Sequence, residues 1–96
     1  MSSSYPQRPQ AAPRFQGRVA VVTGAAGGIG AATARRLADE GARVLVADID
    51  TAEGERTARA IRDAGGQALF HRTDVSDEAS WASALDTVRE AYGPVS

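Results

Sequence analysis

Ninety-six residues allow one small domain, and a domain of that size leaves a large share of its surface in water. The chain has no Cys and one His, His71, which excludes disulfide scaffolds, thiol nucleophiles and the usual zinc sites. A formal charge of −1 argues against electrostatic capture of nucleic acid, and no apolar run approaches the ~20 residues of a membrane span.

Residues 1–14 are Ser-, Pro- and Gln-rich with little apolar content, and read as a disordered tail ahead of a domain over 15–96. No h-region of a secretory signal is present, which points to the cytoplasm. Residues 18–23, RVAVVT, form a short β-branched run suited to a strand buried on both faces. A glycine cluster, Gly24 to Gly30, follows at once. A helix is expected over 29–40, with Ile29, Ala32, Thr33, Arg36 and Leu37 at helical spacing and Gly41 as its stop. Arg35-Arg36 reads as a solvated face.

The pattern then repeats. Residues 43–48, RVLVAD, make a second strand. Asp50 and Glu53 form an Asx-x-x-Glu capping pair for a helix reaching Ala64, closed by Gly65-Gly66. A third strand covers 67–73. Ser76 is expected to cap a third helix, in which Trp81, Leu85, Val88 and Tyr92 recur as a buried stripe. Gly93, in an αL turn, and Pro94 end it. His71 reads as a structural strand residue.

The order is therefore β-α-β-α-β-α, with strands starting about 25 residues apart. That alternation implies an α/β fold, a Rossmann-like doubly wound parallel sheet, of which this is the N-terminal portion. Strand order 3-2-1 leaves the first strand as an apolar edge, which favours low stability or self-association.

The glycine cluster lies between strand and helix, where backbone N–H groups and a helix N-terminus can hold a phosphate. A mononucleotide P-loop needs Gly-Lys-Ser/Thr, and the chain has no Lys. The strict GxGxxG fingerprint fails too, since Ala31-Ala32-Thr33 follow Gly30. What stands is Thr23-Gly24-x-x-x-Gly28-x-Gly30, read as a phosphate-binding turn because it lies between strand and helix of a βαβ unit; the alternative is a flexible turn with no ligand. Asp48 ends the second strand twenty positions after Gly28, where a carboxylate can accept from both ribose hydroxyls and repel a 2′-phosphate. No Arg lies in the glycine loop, and Ile49 follows Asp48, so NAD is favoured over NADP. Asp74 ends the third strand on the same rim and either faces the adenine edge or caps the following turn.

Thr23-Gly24-Ala25-Ala26-Gly27-Gly28-Ile29-Gly30, Asp48, Asp74-Val75 and Gly93-Pro94-Val95 together resemble the N-terminal part of the short-chain dehydrogenase/reductase family. The resemblance covers residues 15–96. It implies that Gly24, Ala26, Gly27, Gly28, Ile29 and Gly30 hold the cofactor pyrophosphate and ribose. It implies that Asp48, with Ile49 beside it, selects NAD, and that Asp74-Val75 lines the adenine pocket. It also implies an alcohol or ketone substrate and a homo-oligomer, dimer or tetramer, for the complete enzyme.

The family's Asn-Asn-Ala-Gly segment, catalytic Ser and Tyr-x-x-x-Lys pair are absent from these 96 residues. Tyr5 is followed four on by Pro9, and Tyr92 by Ser96. The expectation is an N-terminal piece of a longer oxidoreductase, inactive alone. The alternatives are a non-catalytic NAD-binding sensor module and an inactive remnant.

Overall fold

The computed structural model describes residues 15–24 and 28–95. The expected tail, Ala25, Ala26, Gly27 and Ser96 lie outside the described residues. The described elements are β1 (Val19–Thr23), α1 (Gly28–Asp39), β2 (Arg43–Asp48), α2 (Thr51–Asp63), β3 (Gln67–Arg72) and α3 (Glu78–Tyr92).

The three strands form one parallel sheet in the order β1-β2-β3. Val19 pairs with Arg43 and Thr23 with Ala47, while Arg43 pairs with Gln67 and Asp48 with Arg72. All three strands therefore end on one edge. Side chains alternate across the sheet. Val44 and Val46 pack with Ala34, Ala38, Ala58 and Ile61 of α1 and α2 on one face. Leu45 packs with Val19, Ala84 and Val88 on the face that α3 covers. With helices on both faces, the sheet is doubly wound and Rossmann-like, as the alternation of elements implied.

β2, the central strand, has its four inner residues buried. A strand between two helical layers is covered on both faces, and its inner residues Val44, Leu45, Val46 and Ala47 are all apolar. β1 differs from the expectation of burial on both faces: only Val19 is buried, and Ala20, Val21 and Val22 are half-buried. Its position at the sheet edge is the reason.

Helix packing depends on small residues. α1 buries Ala31, Ala34 and Ala38 rather than the stripe from Ile29 to Leu37 that the larger side chains suggested. Ile29 is 87% exposed, because it sits in the first turn, ahead of the part of α1 that crosses the sheet. α2 lies close to β3 at Gly54. A Cβ there would come within 3.0 Å of Phe70 Cζ and closer still to Cδ1 and Cε1. On α3 the buried pair is Ala84 and Val88, while Trp81, Leu85 and Tyr92 are half-buried. Of the expected stripe, Val88 is buried as expected, whereas Trp81, Leu85 and Tyr92 lie at the edge of a contact whose other central residue is Ala84.

Two caps also depart from expectation. Asp50 caps α2 by accepting from Glu53 N at 3.0 Å, but the reciprocal half of the pair is missing. Glu53 Oε2 instead meets Arg56, and Asp50 N donates to Asp48 Oδ1 at 2.9 Å. α3 is capped by Asp77, whose carboxylate accepts from Ala79 N and Ser80 N, and not by Ser76. Ser76 is taken by Asp74: its N–H and Oγ–H both donate to Asp74 Oδ1, at 3.0 and 2.6 Å. Gly93 does end α3, with φ +97 and ψ −166. That is the extended, glycine-only region and not the αL turn expected.

Candidate cofactor site at the carboxyl edge of the sheet

In an open parallel sheet, ligands settle beyond the carboxyl ends of the strands. Here that edge holds a cavity of about 360 Å³, lined by Thr23, Gly24, Ala47, Asp48, Ile49, Thr73, Asp74 and Val75. The size falls at the low end of small-molecule sites. The last residues of β1 and β2 contribute, together with the first loop residues after all three strands. The sheet ladder continues into the loops and holds them together: Gly24 N donates to Ala47 O at 3.0 Å, and Thr73 N to Asp48 O at 2.9 Å.

Gly24 has φ +63, a conformation that costs other L-residues about 1–2 kcal/mol. A Cβ added there would meet nothing within 4 Å, so glycine serves the turn and not a tight fit to protein atoms. The chain leaves β1 at this turn and returns as α1, whose first turn carries no acidic side chain. Its N–H groups are therefore not opposed by a neighbouring carboxylate of that turn.

Asp48 Oδ1 is tied to the turn by Asp50 N. An ionised carboxylate offers about four acceptor sites in all. Asp74 is the turn cap envisaged as one of its two roles, and it also lines the cavity. The Ser76 hydroxyl, then the Ser76 N–H, holds its carboxyl below the usual aspartate range, and the Arg72 charge adds to that effect. Ile49 and Val75 are 53% and 63% exposed and flank these carboxylates with apolar surface. The wall thus pairs hydrogen-bond acceptors with two apolar lips, a suitable surface for a flat base and its sugar.

Of the residues singled out from sequence, Gly24, Asp48, Ile49, Asp74 and Val75 are brought together on one cavity. Gly28, Ile29 and Gly30 form the first turn of α1 and are not among the residues that line it. Ala26 and Gly27 lie outside the described residues. Thr73 and Arg72 were missed. Thr73 lines the cavity while only 2% exposed, and Arg72 is the register partner of Asp48. The sequence does carry a signal for both: they immediately precede Asp74 on a strand that runs parallel to that of Asp48. His71, read as a structural strand residue, has two hydrogen-bond partners, Thr73 and Ser83. Among the described residues, no cluster of three or more His, Cys, Asp or Glu could hold a metal ion, and no helix is long and apolar enough to cross a membrane.

A doubly wound sheet with a glycine turn and strand-end carboxylates on one cavity defines a dinucleotide-fold protein. Comparison with protein families matches residues 18–96 to the short chain dehydrogenases, and the chain belongs to that family. It is 58% identical over 80 residues to cis-4-hydroxycyclohexanecarboxylate dehydrogenase of Sinomonas cyclohexanicum, covering 82% of this chain and 31% of that protein. It is 48% identical over 80 residues to 2,5-dichloro-2,5-cyclohexadiene-1,4-diol dehydrogenase LinX of Sphingobium indicum, covering 83% and 32%. The crystal structure of a hydroxysteroid dehydrogenase from Escherichia coli superposes with a TM-score of 0.83 at 34% identity, covering 85% of this chain and 35% of that one. The chain spans about a third of the length of these relatives.

Proposed function

We propose that the chain supplies the adenosine-binding half of an NAD-dependent oxidoreductase acting on an alcohol or ketone, and that alone it catalyses nothing. The observation that carries this reading is the meeting of Gly24, Asp48 and Asp74-Val75, from three parallel strands, on one cavity. NAD, when bound, supplies the hydride acceptor. Asp48 accepts from the adenosine ribose, and Ile49 and Val75 flank the base beside Asp74. Gly28, Ile29 and Gly30, in the first turn of α1, are the residues whose backbone N–H groups would meet the pyrophosphate, and Gly24 shapes the turn that leads to them. Two relatives are named for dehydrogenation of hydroxyl-bearing rings, which supports a cyclic alcohol as substrate class. The family's Tyr-x-x-x-Lys pair has no counterpart in these 96 residues, which contain no Lys. The complete enzyme is expected to be a cytoplasmic homo-oligomer.

Cofactor choice rests on Asp48. A relative 43% identical over 84 residues is an NADP-dependent (R)-specific alcohol dehydrogenase of Lentilactobacillus kefiri, so family membership alone does not decide it. A carboxylate at the ribose repels a 2′-phosphate. Calorimetric titration of the chain with NAD and NADP tests this. NAD should bind more tightly, and Asp48→Ala should narrow the gap about tenfold, ~1.4 kcal/mol. Tighter binding of NADP by the unsubstituted chain would overturn the preference.

A further inference from the structure

Four polar side chains at the cavity wall or behind it have no role as ligand contacts in the proposed function. They are His71 and Thr73 at the end of β3, and Ser80 and Ser83 on α3. Ser80 and Ser83 stand three apart, on neighbouring positions of one helix face. Ser80 Oγ accepts from Asp74 N at 2.9 Å, and Ser83 Oγ lies 3.2 Å from His71 Nε2. Both hydroxyls therefore reach from α3 to the strand end that lines the cavity.

The proton positions follow from counting donors. Thr73 Oγ1 donates its single proton to His71 O at 2.9 Å. With that proton on His71 O, the 2.8 Å contact with His71 Nδ1 is one that Thr73 accepts, and Nδ1 then carries the hydrogen. In the neutral ring Nε2 is an acceptor, and the Ser83 hydroxyl donates to it. Thr73 is 2% exposed, and its hydroxyl is satisfied within this relay. The result is a chain of bonds from α3 through the imidazole to Thr73, beside a direct bond from Asp74 N to Ser80.

We infer that Ser80 and Ser83 are positioning residues for cofactor binding, Ser80 acting through the Asp74 amide and Ser83 through an Nδ1–H tautomer of His71 that holds Thr73. The inference rests on the reading of the cavity as the adenosine site. These residues touch no ligand; they fix the β3 end against which the base lies. Loss of the Ser80 hydroxyl leaves the Asp74 N–H without its helix partner and lets the Asp74-Val75 segment move, so affinity falls even where the chain stays folded.

Two measurements test this on the full chain. At pH 8, long-range proton–nitrogen NMR of the His71 ring should show Nδ1 protonated and Nε2 bare. Calorimetric titration with NAD, well below the melting midpoint, should show Ser80→Ala binding three- to tenfold more weakly. Ser80→Thr, which keeps the hydroxyl, should bind within twofold of the unsubstituted chain. A purely structural role would lower the melting midpoint of Ser80→Ala and leave affinity unchanged, and that result overturns the inference, as does an Nε2–H ring. An unsubstituted chain that binds no NAD overturns the adenosine reading and this inference with it, whereas tight binding by both the unsubstituted chain and Ser80→Ala overturns this inference alone.

Discussion

The two faces of the sheet are held by different means. On the α1/α2 face, eight buried residues from Ala34 to Ala68 form one apolar cluster, and close approach depends on Ala and Gly positions. On the α3 face, the buried cluster is Val19, Leu45, Ala84 and Val88, and hydroxyl, imidazole and carboxylate bonds fasten the end nearest the cavity. One face supplies stability by burial, and the other adds directional bonds where a ligand surface has to be placed. Apolar packing is non-directional and roughly proportional to area, whereas hydrogen bonds fix orientation.

The thinner face should be most sensitive at the residue that anchors it. Leu45 is fully buried beneath α3, so Leu45→Ala should cost about 2–5 kcal/mol in chemical denaturation. A loss below ~1 kcal/mol would mean that α3 is held chiefly by its polar bonds. On the opposite face, Gly54→Ala drives a methyl group into the Phe70 ring and should cost about 1–3 kcal/mol. The same change in a Phe70→Ala background should cost much less, because the ring is what it strikes. Additive losses in that cycle would show that α2 and β3 are not in the close contact described.

The smallest effects separate the two roles at the head of α3. Asp77→Ala removes the helix cap and should cost ~1 kcal/mol. Ser76→Ala should act through Asp74 instead. Asp74 is held below its ordinary value, so its contribution to stability is full above about pH 4 and is lost as pH falls through the lowered value. Ser76→Ala should therefore flatten the acid limb of the stability profile. An unchanged acid limb would remove the Ser76 hydroxyl as the main cause.

Much of this architecture was legible because local signals agreed with the global fold. Strand β2 runs Arg43–Asp48 as RVLVAD suggested, since an uninterrupted apolar run suits the central strand of a parallel sheet. The carboxyl-edge placement of Gly24, Asp48 and Asp74 was legible from strand ends alone. The phase of α1 was not, because its contact uses Ala31, Ala34 and Ala38, and side-chain size pointed to Ile29 and Leu37. The cap of α3 was misplaced by one residue because Ser76, a good cap by type, is engaged by a carboxylate two positions back. The Gly54–Phe70 approach and the His71–Thr73–Ser83 relay join separate elements, and spacing along the chain carries no trace of them.

The adenosine end of a dinucleotide is proposed to lie on the carboxyl edge of β1, β2 and β3. The most direct test is the map of backbone amide shifts as NAD is added to the isotope-labelled chain. The largest shifts are expected at Gly24, Asp48, Ile49, Asp74 and Val75, with the amides of α2 little changed. Saturable shifts centred on the opposite edge of the sheet, or on α2, would contradict it.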